Sequence, residues 1–233
     1  MAVGAFFDID KTVLEINSGT KWIGYQWKTR QLSAWQLSQA LMWVAQYHFG
    51  LLDYDAMARK VLARYQGDPV EPIYDEVAKW FDRDVRWAIC GQARETIEHH
   101  RAQGHTLVLL TSATPFLSKP VGELLDVPHV LCTQLEVVGG KLTGKHQEPA
   151  CYGIGKVYHA ERFAQEHDID LAVSHFYSDS ISDLPMLERV GHAHVINPDP
   201  RLRREATARA WPVATWTAEG QPPKDDNAGS RVR

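Results

Sequence analysis

Asp8 and Asp10, in the stretch Phe7-Asp8-Ile9-Asp10-Lys11-Thr12, follow an apolar run from Ala2 to Phe7. That run reads as a buried β-strand. Two carboxylates two residues apart at a strand end can point the same way. Such a pair is costly unless a positive charge sits between the acids or they share a proton. It therefore invites a divalent metal, or a nucleophile beside a general acid. Taken alone it also fits a solvated strand end. Three later segments carry complementary chemistry. Leu107 to Thr111 is an apolar strand that runs into Ser112, Ala113 and Thr114. Gly153-Ile154-Gly155-Lys156 puts a lysine at the opening of a helical pattern. Phe176-Tyr177-Ser178 leads into Asp179 and Asp183, two acids four residues apart.

The elements around these residues alternate. Strand signals fall near 2–7, 106–111, 129–133, 172–177 and 193–196. Helical patterns fill about 92–103, 115–125, 155–167, 183–190 and 200–209. This alternation predicts an α/β fold with a doubly wound parallel sheet. Gly104 reads as the glycine that ends a helix, Asp199-Pro200 as a helix start, and Val137 to Thr143 as a β-hairpin turning on Gly139-Gly140. Residues 14–90 break the alternation. They are helical in pattern and carry Trp22, Trp27, Trp35, Trp43, Trp80 and Trp87. The stretch 218–233 is polar and without periodicity, and is expected to be disordered.

Acid pair, hydroxyl, lysine and second acid pair, in that order, resemble the four motifs of the haloacid dehalogenase (HAD) superfamily. The details are similar to its subfamily IB, the phosphoserine phosphatase-like hydrolases, over about residues 2–217. The resemblance implies a HAD-type Rossmannoid core from residues 1–13 and 91–217, with a helical cap, residues 14–90, inserted after the first strand. It implies a phosphatase working through an aspartyl-phosphate. Asp8 would be the nucleophile and Asp10 the general acid and base. Ser112, the Ala113 backbone N–H and Lys156 would hold the phosphoryl oxygens. Mg²⁺ would be held by the Asp8 carboxylate, the Asp10 carbonyl and the Asp179 carboxylate, with Asp183 orienting the site. In a doubly wound sheet Asp8, Asp10, Ser112 and Asp179 all fall at or just past strand carboxyl ends, where ligands bind. Lys11 stands where the commonest family form has glycine. Nine residues after Asp8, where phosphoserine phosphatases carry a glutamate for the substrate ammonium, stands Asn17.

Composition excludes some classes. A net charge of −4 gives no reason to expect nucleic acid. Three widely spaced cysteines, Cys90, Cys132 and Cys151, point to a reducing compartment, hence the cytoplasm, and away from a disulfide frame. No signal peptide is expected at the N-terminus. Gly153-Ile154-Gly155-Lys156 lacks the spacing of a nucleotide P-loop. His99-His100 and His192-Ala193-His194 lack zinc-motif spacing, so a zinc site is not expected. The expected substrate is a small-molecule phosphate ester. Two alternatives share the same site: a lipid-phosphate phosphatase touching a membrane peripherally through the cap, and a phosphotransferase to an alcohol. The tryptophan-rich helices fit a self-packed cap core, an apolar substrate pocket, a dimer face or a membrane contact.

Overall fold

The computed structural model describes residues 1–49 and 52–222. Its centre is a six-stranded sheet of β1 (Gly4–Phe7), β2 (Thr106–Thr111), β3 (His129–Cys132), β6 (His175–Ser178), β7 (His192–Ile196) and β8 (Val213–Ala214). The spatial order is β3-β2-β1-β6-β7-β8, and every pairing is parallel. Four consecutive buried residues make β1 a strand that sees no solvent on either face. Phe7 packs on one face with Leu109, Tyr177 and Ile97, under α5 (Gly91–Ala102) and α6 (Pro115–Leu124). Phe6 packs on the other with Val108, Phe176 and Phe163, under α7 (Ile154–Glu166), α8 (Leu184–Arg189) and α9 (Pro200–Ala208). Helices on both faces of a parallel sheet give the expected doubly wound α/β architecture.

Several boundaries differ from the sequence expectation. The strand expected over 172–177 begins only at His175. Asp170 accepts a hydrogen bond from the Ala172 backbone N–H at 2.9 Å and winds Leu171–Val173 into a short helical turn. The stretch 218–233, expected to be disordered, opens with residues that are held. Ala218 bridges to Cys90, and the Glu219 and Gly220 N–H groups donate to the Ile89 and Trp87 carbonyls. Residues 223–233 lie outside the described residues.

Between β1 and α5 run α1 (Ser18–Lys28), α2 (Ala34–Phe49), α3 (Tyr54–Leu62) and α4 (Val70–Trp80). Asn17 and Asp53 cap α1 and α3 by accepting from Thr20 and Ala56 backbone N–H groups. Trp22 packs within 5.0 Å of both Tyr25 and Trp80, ring centre to ring centre. Tyr74 of α4 meets Phe116 of α6 edge-on. The hairpin of β4 (Leu135–Val138) and β5 (Lys141–His146) extends this helical layer. Leu142 exchanges backbone hydrogen bonds with Gly67 and Asp68 at 2.8 and 2.9 Å.

Gly155 sets how closely α7 approaches the loop that leads into it. A Cβ there would lie 1.9 Å from the Ala150 carbonyl oxygen. Gly155→Ala is therefore expected to lower stability by about 1–3 kcal/mol through overpacking. At this chain length each kcal/mol is worth roughly 2–4 °C of melting temperature. An unchanged thermal melt would show that α7 has slack there.

Candidate active site

Asp8 follows β1, Ser112 follows β2 and Asp179 follows β6, so all three sit at carboxyl ends of adjacent strands. Lys156, in the first turn of α7, is buried, and its Nζ donates to Asp8 Oδ1 and to Asp183 Oδ2 at 2.7 Å each. Ser178 Oγ donates to the same Asp183 oxygen at 2.6 Å. Asp183 is therefore fixed by a cation and a hydroxyl, and it fixes Lys156 in turn. Asp10 Oδ1 accepts from the Ser18 backbone N–H at 2.9 Å, at the start of α1. Helix N-termini favour such anions. Asp8, Asp10, Ser112, Ala113, Lys156, Asp179 and Asp183 all line one cavity of about 660 Å³.

Lys11 adopts the left-handed backbone conformation, with φ 55°. Glycine does this freely and lysine at a cost. The Asn197 side-chain amide donates to the Lys11 carbonyl at 3.1 Å and holds that turn. In exchange for the strain, a positive side chain lines the cavity and partly offsets the rise that burial imposes on the Asp179 carboxyl.

Charge is unbalanced here. Burial first, and then Asp183 and Asp10, push the Asp8 carboxyl up to about 7 although Lys156 opposes them. Burial, Asp8 and Asp183 hold the Asp179 carboxyl well above the usual carboxylate range. Burial also raises Asp10, against the hydrogen bonds from Ser18. Lys156 shows the converse: burial alone would lower its pKa, but Asp183 and Asp8 together hold it above the ordinary value. Carboxylates this short of positive charge, offering oxygen donors only, fit a hard divalent cation such as Mg²⁺.

Some contributors are invisible in the sequence. Tyr54, from α3, donates its hydroxyl to the Ser112 carbonyl at 2.9 Å and stacks on Tyr152 at 4.3 Å. The Ala113 N–H, expected to meet a phosphoryl oxygen, already donates to Thr111 Oγ1 at 3.3 Å, a long bond that a better acceptor can replace. Asp199 accepts from the Ile181 N–H at 2.7 Å, and its own N–H donates to the Asp179 carbonyl at 2.9 Å. It thus braces the loop bearing both acids. No local pattern marks Tyr54, because its partner lies 58 residues away.

Residues 5–188 match the family model for haloacid dehalogenase-like hydrolases. The chain belongs to that family. It is 34% identical over 216 residues to an inhibition of morphological differentiation protein of Streptomyces azureus, covering 90% of this chain and 76% of that one. It is 32% identical over 220 residues to a probable phosphatase of Mycobacterium tuberculosis, covering 91% and 75%. A histidinol-phosphatase of Neisseria meningitidis is 28% identical over 217 residues, covering 90% and 96%. Among solved structures, a Bordetella pertussis protein of unknown function superposes with a TM-score of 0.81 at 26% identity, covering 91% and 98%. A substrate-bound phosphoserine phosphatase shares the fold, with a TM-score of 0.67 at 18% identity over 88% and 90%. The HAD chain is thus a hydrolase of phosphatase type. Among its described residues, no helix is long and apolar enough to cross a membrane.

The raised Asp179 pKa predicts a stability effect with a definite sign. Its folded value exceeds the ordinary 3.8. Above pH 3.8 the unfolded chain therefore binds fewer protons than the native one, and Asp179 lowers stability as pH rises towards its folded pKa. In chelated, metal-free protein, Asp179→Asn should melt higher than wild type at pH 8, and the gap should close towards pH 4. A lower melting temperature for the variant at pH 8 would contradict the charge imbalance.

Proposed function

We propose that this HAD hydrolase is a Mg²⁺-dependent phosphatase that cleaves a phosphate monoester through an aspartyl-phosphate on Asp8. The observation that carries this reading is the buried Asp8–Lys156–Asp183 bridge beside Asp10 and Asp179, opening on one cavity. Asp8 and Asp179, with the Asp10 carbonyl, would hold Mg²⁺. When bound, the ion offsets the charge of a phosphate dianion among acids. The Asp8 carboxylate attacks phosphorus and splits one difficult displacement into two. Lys156 favours the ionised form of Asp8 against burial and aims it, and meets the phosphoryl oxygens with Ser112 and the Ala113 N–H as charge develops. Asp10, with its raised pKa, gives a proton to the leaving alkoxide and later takes one from the attacking water. Residues 14–90 serve as the cap over this site, with Tyr54 as its contact to Ser112. Three free, buried cysteines support a cytoplasmic location.

The cavity walls argue for an ester with an apolar or ring-bearing body. Trp22, Trp43, Val44, Met57 and Phe116 line it beyond the acids. Apolar walls with a few polar anchors are the usual make-up of ligand pockets. Asn17, the position that could meet a substrate ammonium, is occupied in capping α1. Glu15 turns away and accepts from the Ala218 N–H at 3.1 Å. Free phosphoserine is accordingly not the preferred substrate. A lipid phosphate is favoured by one observation: Trp35, Leu41 and Met42 of α2 are 74%, 57% and 49% exposed. Strong stimulation by anionic lipid vesicles would support that second reading.

Asp8→Asn should abolish turnover while the circular-dichroism spectrum stays native. Near-normal turnover in that variant would remove Asp8 as nucleophile. Asp10→Asn should lose far more rate with alkyl phosphates than with p-nitrophenyl phosphate, whose leaving group needs no proton. Activity should vanish in EDTA and return with Mg²⁺. In a substrate panel, kcat/KM for phosphoserine should fall at least about tenfold below that for aryl phosphates, because a charged group lacking its partner costs more than 1.4 kcal/mol. Histidinol phosphate is the informative intermediate, since it joins a ring to an amine. Phosphoserine at the head of the ranking would refute the argument from Asn17.

A further inference from the structure

Six of the eleven histidines gather away from the catalytic cavity, at the opposite ends of the strands. His105 immediately precedes β2, His175 begins β6, and His192 and His194 lie on β7. His99 and His100 come from the last turn of α5, which covers this face. Local spacing does not foretell the cluster, because α5, the turn into β2, β6 and β7 all contribute to it.

Three of these side chains converge. One ring nitrogen from each of His100, His105 and His175 lies within 4.8 Å of the other two. His100 and His105 point their Nδ1 atoms at each other, 2.7 Å apart. The far nitrogens of His100 and His175 are held from behind. His100 Nε2 lies 2.9 Å from the Tyr177 hydroxyl, and His175 Nδ1 lies 3.0 Å from His194 Nε2. Metal-binding imidazoles are held this way, with one nitrogen fixed by an outer partner so that the other faces the ion. Burial and neighbouring imidazoles lower His100 to about 3 and His175 to about 4, and burial lowers His105. The rings are therefore uncharged at neutral pH, and each can offer one nitrogen lone pair to an ion once the shared proton has moved. His100 is buried, while His105 and His175 are half-buried, which leaves an open side for entry.

We propose that His100, His105 and His175 form a second metal site, for Zn²⁺ or a similar borderline divalent ion, distinct from the carboxylate site. Three imidazoles with no carboxylate suit zinc, nickel or copper and do not suit Mg²⁺. His100 Nδ1, His105 Nδ1 and His175 Nε2 are the donors, and water completes the coordination. In the metal-free protein the two facing Nδ1 atoms share one proton. On binding, His105 carries its proton on Nε2, so no net proton is released. The ion would clamp α5 to β2 and β6. Tyr177 extends that clamp towards the catalytic end, since its carbonyl accepts from the Asp8 N–H at 3.0 Å.

The test uses the full chain without a histidine tag, stripped of metal and kept in excess Mg²⁺. Zn²⁺ is titrated against a chromophoric chelator, and melting is followed with and without Zn²⁺. Wild type should bind one Zn²⁺ per chain and melt higher with it. His105→Gln and His175→Gln should each weaken binding about tenfold or more and abolish the melting shift. Both should keep wild-type Mg²⁺-dependent phosphatase activity. His99→Gln, on the exposed neighbour, should bind as wild type does. Equal Zn²⁺ affinity and melting shift in wild type and both variants would overturn the site. So would the absence of Zn²⁺ binding by wild type in excess Mg²⁺, or Zn²⁺ binding that Asp179→Asn removes.

Discussion

One buried ammonium set between two carboxylates organises this molecule. Lys156 contacts Asp8 and Asp183 at 2.7 Å, and all three side chains are almost wholly out of water. Breaking such a pair strands a buried charge and costs about 3–5 kcal/mol. Lysine is nevertheless a single positive charge against four acids. Asp10 and Asp179 have no equivalent partner, and burial raises both carboxyls, with Asp8 and Asp183 adding to the rise at Asp179. The pocket holds a standing demand for positive charge, which a divalent cation meets and a phosphate dianion alone would aggravate.

The sheet order supplies the geometry. β1 lies between β2 and β6, so its carboxyl end adjoins both partner loops without any long excursion. Rigidity comes from below, where Phe7 stacks on Tyr177 with ring centres 4.7 Å apart. Rigidity at the rim comes from Asn197 and Asp199, which tie the loop after β7 to the Lys11 turn and to the Asp179 loop. The helical layer and the β4–β5 hairpin then close over the acids. They turn an open strand-end crevice into a walled cavity, where electrostatic interactions are stronger than in water.

What the sequence made legible was local. Apolar strands ending in acids or hydroxyls, and a lysine following Gly-Ile-Gly, are short patterns whose order matches the spatial convergence of Asp8, Ser112, Lys156 and Asp179. What stayed hidden depends on contacts between distant segments. Tyr54 reaches Ser112 only once α3 has folded over β2. The hairpin joins the helical layer through Leu142 and Asp68, far apart along the chain. His100, His105 and His175 converge although they come from the end of α5, the turn into β2 and the start of β6. The late start of β6 had a local cause, the Asp170 cap, which competed with strand propensity over Leu171–Val173 and won. Tryptophan content likewise did not tell which rings point inward: Trp80 is buried and Trp35 is not.

The central claim is that phosphorus is transferred to the Asp8 carboxylate. The most direct measurement is to quench the enzyme with acid during turnover of a slow phosphate ester, reduce the acyl phosphate with borohydride and sequence the peptide by mass spectrometry. The account predicts conversion of residue 8 from aspartate to homoserine, dependent on substrate and absent without Mg²⁺. A phosphoryl group recovered on Ser112 during productive turnover, with residue 8 unmodified, would contradict it.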